Sequence, residues 1–569
     1  MARPQATPRT LAVARGDEPA DLLISGGRVF SAGTREWIDT SLAIADGFIA
    51  GWGERDAHEV LDVGGAALTP GFVDAHMHLE STKLWIDEFI ATVLPRGTTA
   101  VAADPHELAN VLGIPGVVAL IEAAAALPFT FGVLASSCVP ASPFERSGAE
   151  LDAGDVRELI ERYGALGVAE VMNFPGVIAG AAEMLARIAA AGHRRVDGHS
   201  PGVGGRALDA YLAAGVESDH ESTRLEEAEE KRRKGMWVFL RQGSASQNLV
   251  ELAPSVIRHG PDLAAFCTDD REPDTLIRVG HVNDCARLAV AAGVDEIDAI
   301  LLASTNPARF HGFTGLGNLG PGHQADILAF AELGTWEPDR VWQAGRLMAV
   351  GGEIVPGTVP ASPPPSLLRD TVRIGALPDG DQLVLEPRAG ARVLAVGVES
   401  HSLTTLRREL EIGSGADIAH AAVVERHHAT GRIGRGFATG FGLKRGAIAS
   451  TVAHDAHNVV VVGASGEDMA AAVARLAELG GGQVAVLDGE VVGEVPLPLA
   501  GLMSDLSAPE VAAQIRDLGA VTAARLGVTV EEPFMQLSFI ALSVIPQLRL
   551  TDGGLMDVDA VAFVPVEVG

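Results

Sequence analysis

The segment FVDAHMHLEST, with His76 and His78 two residues apart, constrains this chain more than any other. Side chains at i and i+2 of a strand point the same way, so both imidazoles can reach one divalent ion. A chain with 17 histidines can produce such a pair by chance. The surroundings argue for chemistry: TPGFVDA makes a tight turn into an apolar strand, and further histidines and carboxylates follow at similar positions. A first strand with ligands at its C-terminal end fits a barrel enzyme, which keeps its chemistry there.

The texture of the chain agrees. From about residue 70 to 310, apolar strand-like pieces (TAVAAD, FTFGVLASSC) alternate with Ala- and Leu-rich helical pieces (NVLGIPGVVALIEAAAAL, AAEMLARIAAAG). That rhythm over ~240 residues is the length of a (β/α)8 barrel. Residues 21–69 read as hairpins with Gly and Asp-Gly turns, and 311–356 read as β-like chain again. The expected fold is therefore α/β: a distorted (β/α)8 TIM barrel, 70–310, inserted in a small composite β-sandwich subdomain. The Pro-rich stretch 357–367 (within VPGTVPASPPPSL) predicts a linker. Beyond it, 368–569 predicts a C-terminal α/β domain, in which VVVVGASGEDMAAAVARLAELGG reads as strand, capped helix and Gly stop. QVAVLDGEVVGEVPLP reads as a hairpin turning at Asp-Gly. Residues 1–20 predict a short disordered leader without the apolar core of a secretory signal.

Further candidate ligands stand where apolar stretches end: Asp104 and His106 in VAADPHE, Glu170 in GVAEVMNFPG, His199 in RRVDGHSPG, His220 in GVESDHEST and Asp269 in FCTDDREP. Singly, each reads as a cap or a satisfied core polar group. Together, at successive strand ends, they make a metal centre. Mixed histidine and carboxylate donors suit Mn, Fe or Zn rather than Ca.

Charge narrows the substrate. With 43 Lys+Arg against 74 Asp+Glu, a net charge of -31, the chain repels nucleic acid and anionic lipid. A small neutral molecule remains. No apolar run reaches the roughly 18–20 residues of a membrane span. Cys138, Cys267 and Cys285 form no disulfide framework or zinc knuckle, which points to a reducing cytoplasm.

In order along the chain, PGFVDAHMHLEST, GTTAVAADPHELANVLG, SSCVPASPFERSGA, VMNFPGVI, DGHSPG, SDHEST, RQGSASQNL and CTDDREP resemble the adenine deaminase family of the amidohydrolase superfamily. The resemblance continues through VVERHHATGRIGRGFATGFGLKRGAIASTVAHDAHN, GLMSD and PFMQLSFIALSVIPQLRLTDGGL, covering nearly all of residues 21–558. It implies hydrolysis of adenine to hypoxanthine and ammonia in purine salvage, by a metal-activated hydroxide at a two-metal site, Mn or Fe first and Zn second. His76, His78, His199, His220 and Asp269 fall on its ligand motifs, with Glu170 as the bridge. Lysine usage supports that bridge separately. Relatives that use a carbamylated lysine carry it on a middle strand, and this chain has no lysine between Lys83 and Lys231.

Asp269 is the expected proton acceptor. Asp104 and His106 either support the second metal or donate to a purine nitrogen. Glu80, His106, Glu107, Arg241, Ser244, Asp270 and Arg271 are the candidate substrate contacts. Gln242, Glu272 and the last alanine of AHDAHN depart from the family's usual residues, which leaves a related or N6-substituted purine as an alternative substrate. A non-catalytic metal-binding protein is a distant alternative. A zinc deaminase of nucleic acids would need C-x-x-C, which is absent. The cluster His427, His428, Arg435, Lys444, Arg445, His454, Asp455 and His457 reads either as a domain interface or as a cover over the barrel mouth. A homodimer or higher homo-oligomer is expected.

Overall fold

The computed structural model describes residues 6–400, 402 and 404–568. Within the middle of the chain, eight short strands run in order: β1 (Phe72–Met77), β2 (Thr98–Ala103), β3 (Thr130–Val133), β4 (Val168–Val171), β5 (Val196–Gly198), β6 (Ser218–Asp219), β7 (Trp237–Arg241) and β8 (Ala264–Cys267). Parallel pairing joins β1 to β2 to β3, β4 to β5, and β6 to β7 to β8. A parallel bridge from Ala135 to Val168 links the β3 and β4 segments, and one from Met77 to Asp269 links the last strand back to the first. Glu217 N donates to Val196 O at 3.0 Å, which sets β6 beside β5.

The strands are buried on both faces, as parallel strands covered by helices must be; every residue of TTAVAA in β2 is buried, and so are the polar Ser218 and Asp219 of β6. Helices fill the crossovers. In Ala153–Glu161, the Asp152 carboxylate caps Gly154 N and Asp155 N, and Val156, Leu159 and Ile160 turn inward. The run NVLGIPGVV is not one helix, because Gly113 at φ 63° divides His106–Leu112 from Ile114–Ala125.

Segments from before and after these strands share one sheet. Ala67–Pro70 pairs antiparallel with Ile327–Phe330, Ile327 opposite Pro70, and this sheet also takes in Arg28–Ser31 and Arg340–Gln343. A second sheet holds Ala20–Ser25, Leu42–Ala45, Phe48–Trp52 and Ala57–Asp62. Leu22, Ile44, Leu68, Ile327 and Trp342 form the core between them. The hairpin Leu42–Ala45/Phe48–Trp52 turns at Asp46 (φ 50°) and Gly47 (φ 81°), the left-handed pair a two-residue Asp-Gly turn requires. Ala57–Asp62 departs from the expected hairpins and lies parallel to Ala20–Ser25.

Two expectations need correction. Residues 1–5 lie outside the described residues, but the rest of the expected disordered leader is ordered. Pro8–Arg15 is a helix, N-capped by Thr7 and closed by Gly16, with Thr10, Ala12 and Val13 buried. Arg9 pairs with Asp21 and Asp46, tying the helix to the small sheet. The Pro-rich segment runs without helix or strand up to a 3-10 turn at Ser366–Leu368 and is strapped down: Trp85 Nε1 donates to Ser362 O at 2.7 Å, and Ser362 N donates to Asp87 at 2.8 Å.

After it, a sheet in the order Leu406–Glu411, Arg392–Gly397, Ile433–Thr439, Ala419–Val424, Val459–Gly463, Ala447–Ser450, Gly482–Leu487, Glu490–Pro496 carries the C-terminal region. The helix Gly466–Leu479 is capped by Ser465, stops at Gly480, and packs Met469, Ala472, Val473 and Leu476 onto it. Gly482–Leu487 and Glu490–Pro496 turn at Asp488-Gly489, as read from the sequence. Among the described residues, no helix is long and apolar enough to cross a membrane.

One charged residue organises the strand ends near β6. Lys231 lies in the charge-rich helix Leu225–Arg233 yet is fully buried. Its ammonium donates to Asp219 at 2.9 Å, Glu227 at 2.8 Å and Ser200 O at 2.8 Å. Asp219 in turn receives the backbone N–H groups of Ser200 and Ser222. Removing one partner of such a group leaves an uncompensated buried charge. Lys231→Met is therefore expected to lower stability by about 3–5 kcal/mol, read as a shift in the denaturant midpoint with unchanged slope.

Candidate active site

The candidate functional side chains gather at the C-terminal ends of seven of the eight strands. His76 is the last but one residue of β1 and His78 follows the strand; Asp104 follows β2, Glu170 lies in β4, His199 follows β5, His220 follows β6, Arg241 ends β7 and Asp269 follows β8. Gly198 allows β5 and β6 to close up before their histidines: a Cβ there would sit 2.1 Å from Ser218 O. Asp269 adopts φ 57°, a left-handed conformation that Asp tolerates better than most residues.

Each imidazole of the HxH pair is oriented from behind. His76 Nδ1 donates to Asp197 at 2.7 Å, and His78 Nδ1 donates to Asp104 O at 2.8 Å. These bonds fix the tautomers and leave Nε2 of each ring as a lone pair. The two Nε2 atoms stand 3.2 Å apart. Asp269 Oδ1 is 3.1 Å from His78 Nε2 and 3.8 Å from His76 Nε2. Glu170 divides its oxygens. Oε1 faces His78 Nε2 at 3.4 Å and His76 Nε2 at 3.9 Å, while Oε2 faces His199 Nδ1 at 2.6 Å and His220 Nε2 at 3.3 Å.

Such convergence of lone pairs and carboxylate oxygens, all buried, is repulsive without positive charge. Burial pushes Glu170 up, but His199 and His220 pull its carboxyl well below the usual range. Burial likewise opposes the charged form of Asp269, and Arg241 and His78 hold it well below. The residues thus fit divalent cations: His76, His78 and Asp269, then His76, Glu170 and His220, and also His78, Asp104, His106 and Glu170, each bring ligand atoms close enough together to hold one.

A cavity opens over this cluster, lined by residues that include His78, His106, Glu170, Arg241, Asp269 and Asp270. Arg241 serves the site from its wall. It donates to Asp269 Oδ2 at 2.8 Å and grips Glu221 through both Nη atoms. His106 faces the cavity, with Nδ1 3.5 Å from Glu170 Oε1. Asp104 does not; its Oδ1 accepts from Ser136 and its Oδ2 lies 3.4 Å from His106 Nδ1, so it stands behind that ring.

Four candidate substrate contacts do not line the cavity. Glu80 caps Leu108 N at 2.9 Å, and burial with Glu107 nearby pushes its carboxyl up to about 8. Glu107 accepts from Ser81 at 3.0 Å and faces His457. Ser244 donates to Thr275 and accepts from Glu272 N, both at 2.9 Å. Arg271 turns away to Gly280 O, His281 O and Asp284. The unusual residues also miss the cavity: Gln242 lies off its lining, Glu272 pairs with Lys83, and Ala456 O accepts from His427.

The C-terminal cluster splits. His454 and Asp455 line the cavity, with Phe539 and Leu542 from the same region. His427 and His428 hold backbone carbonyls, while Arg435, Lys444 and Arg445 are exposed. Sequence reasoning also missed Met172, Glu221, Ser246, Phe539 and Leu542 in the lining and Asp197 behind His76. Glu221 and Asp197 were within reach, since each lies in a ligand motif, SDHEST and VDGHS. Nothing local in the sequence marks the apolar ones.

Residues 67–348 match the amidohydrolase family, which places the strand-end site in that class of hydrolases. Residues 399–562 match the adenine deaminase C-terminal domain. Adenine deaminase 2 of Carboxydothermus hydrogenoformans is 41% identical over 566 residues, covering 98% of both chains. Adenine deaminases of Desulfatibacillum aliphaticivorans (42%; 98% of this chain and 99% of that) and Archaeoglobus fulgidus (41%; 98% of each) are similarly close. The chain belongs to the adenine deaminase family.

The divided oxygens of Glu170 lead to a measurable expectation. Glu170→Gln replaces by an amide the carboxylate whose two oxygens face different imidazoles, and should lose most of the bound metal per chain by elemental analysis; full metal content would remove Glu170 from the candidate ligands.

Proposed function

We propose that this protein hydrolyses adenine to hypoxanthine and ammonia at a binuclear divalent-metal centre. The observation that carries the reading is the end-to-end match to relatives named adenine deaminase, joined to a cavity floored by the ligand set above. In this reading the eight parallel strands and their crossover helices form a distorted (β/α)8 barrel, and the two shared sheets form the sandwich into which it is inserted. Mn or Fe suits the histidine–carboxylate donors, and Zn is the alternative.

Divalent ions held among His76, His78, Glu170, His199, His220 and Asp269 would supply Lewis acidity, the chemistry that brings the pKa of water down to about 7. The chain's own residues do the rest. Asp269 is the proton acceptor: Oδ1 faces the ligand cluster while Arg241 holds Oδ2, so the carboxylate is aimed before substrate arrives. The oxygen of water bonds to C6 of the purine and the C6–amine bond breaks. Asp269 carries one water proton to the leaving amine, which departs as ammonia, and the other ends on the ring. His106, on the cavity wall, is placed to donate to a purine nitrogen, and Asp104 supports it from behind.

Loading the protein with Mn, Fe or Zn in turn and assaying adenine beside N6-substituted purines tests the reading. Ammonia release from adenine is expected, and no turnover with any metal would overturn it. Asp269→Asn should cut kcat by about 10²–10⁴-fold while circular dichroism and Tm stay at the wild-type values; a loss under tenfold would reassign the proton acceptor.

A further inference from the structure

The part of the cavity wall supplied by the C-terminal region is built as carefully as the metal floor. Phe539, Ile545 and Pro546 all direct their carbonyls at the Arg549 guanidinium: Nε donates to Ile545 O at 2.7 Å, Nη2 to Pro546 O at 2.9 Å, and Nη1 to Phe539 O. That one buried cation fixes the 539–546 segment carrying Phe539 and Leu542. Ser543 in the same segment donates to Glu145, in the loop after β3, at 2.8 Å, which pins the wall to the strand-end side of the cavity. The Phe539 and His454 rings pack with centroids 5.8 Å apart and planes 30° apart. Met172 lines the same cavity.

Within this wall Asp455 is the exception to good bonding. Its side chain is only 2% exposed and lines the cavity, yet Oδ2 has no hydrogen-bond partner. Oδ1 lies 3.5 Å from His106 Nε2, and the other nitrogen of that ring lies 3.5 Å from Glu170 Oε1. Asp455 is thus one imidazole away from the Glu170 carboxylate. A buried carboxylate oxygen without a donor costs its full desolvation unless a ligand supplies the donor. A purine base carries an imidazole-ring N–H that can supply such a donor, and its flat face suits the apolar Phe539, Leu542 and Met172 of the same lining.

We propose that Asp455 is a substrate-binding, specificity-determining residue that accepts a hydrogen bond from an imidazole-ring N–H of the purine base. This rests on the purine reading above. The bond selects free bases over nucleosides, in which the glycosyl substituent replaces that hydrogen. A site built to bond an N–H rejects a ligand lacking it, because its own polar group is left unpaired.

Titration calorimetry on metal-loaded protein with hypoxanthine and inosine reads this without turnover, beside adenine kinetics. Asp455→Asn should weaken hypoxanthine binding and raise KM for adenine by about 10–100-fold. Its kcat should fall less than KM rises, with metal content and Tm unchanged, and Asp455→Glu should restore part of the affinity. Discrimination against inosine should shrink in Asp455→Asn. Equal hypoxanthine affinity in wild type and Asp455→Asn, or metal loss in parallel with affinity, would overturn the proposal. Wild-type protein that binds bases tightly but releases no ammonia from adenine would overturn the activity and leave this inference standing; wild type that binds neither base would overturn both.

Discussion

Glu170 stands between two sets of imidazoles, buried on every side, with one oxygen turned to each set. A lone carboxylate in such a place would protonate and withdraw. Here five histidines face it, and each ring of the HxH pair is already turned by an acceptor behind it. Much of the strand-end architecture serves that arrangement. Asp197 aims His76, the carbonyl of Asp104 aims His78, and the close approach at Gly198 brings His199 and His220 to the same oxygen.

The next shell outward repeats the logic with permanent charges. Arg241 spans Asp269 and Glu221, Lys231 gathers Asp219, Glu227 and the Ser200 carbonyl, and Arg549 gathers three carbonyls of one segment. Each cation is fully buried. A guanidinium suits this work because its planar fork meets several acceptors at once without losing its proton. The outcome is a rigid rim around a cavity whose floor carries the opposite requirement, negative groups awaiting positive ones.

The strand-end cluster of histidines and carboxylates was legible because each member lies in a short motif where an apolar run meets a turn, so local spacing carries the signal. Asp-Gly turns, the Ser465 cap and the Gly480 stop were legible for the same reason. The helix at 8–15 was not, since eight residues are too few to hold a helix alone and its order depends on Asp21 and Asp46. Lys231 read as part of a solvated charged helix, yet its partners Asp219 and Ser200 come from other strand ends. Arg271 and Ser244 stood in the right motifs with side chains turned away, a direction that motif position does not encode. The apolar wall at Phe539 and Leu542 owes its place to tertiary packing far from the metal motifs.

The sheet that pairs Pro70 with Ile327 has a consequence for how this chain comes into being. Emerging from the ribosome, the Ala67–Pro70 strand waits with one edge open until everything through Phe330 has been synthesised. Pairings of such long sequence separation form late and leave apolar edges exposed meanwhile. The intervening strands close on themselves, β8 back onto β1, so they can gather before their frame exists. Translation order therefore favours the enclosed part maturing first and the flanking sheet sealing around its two ends afterwards, as a clasp fastened last.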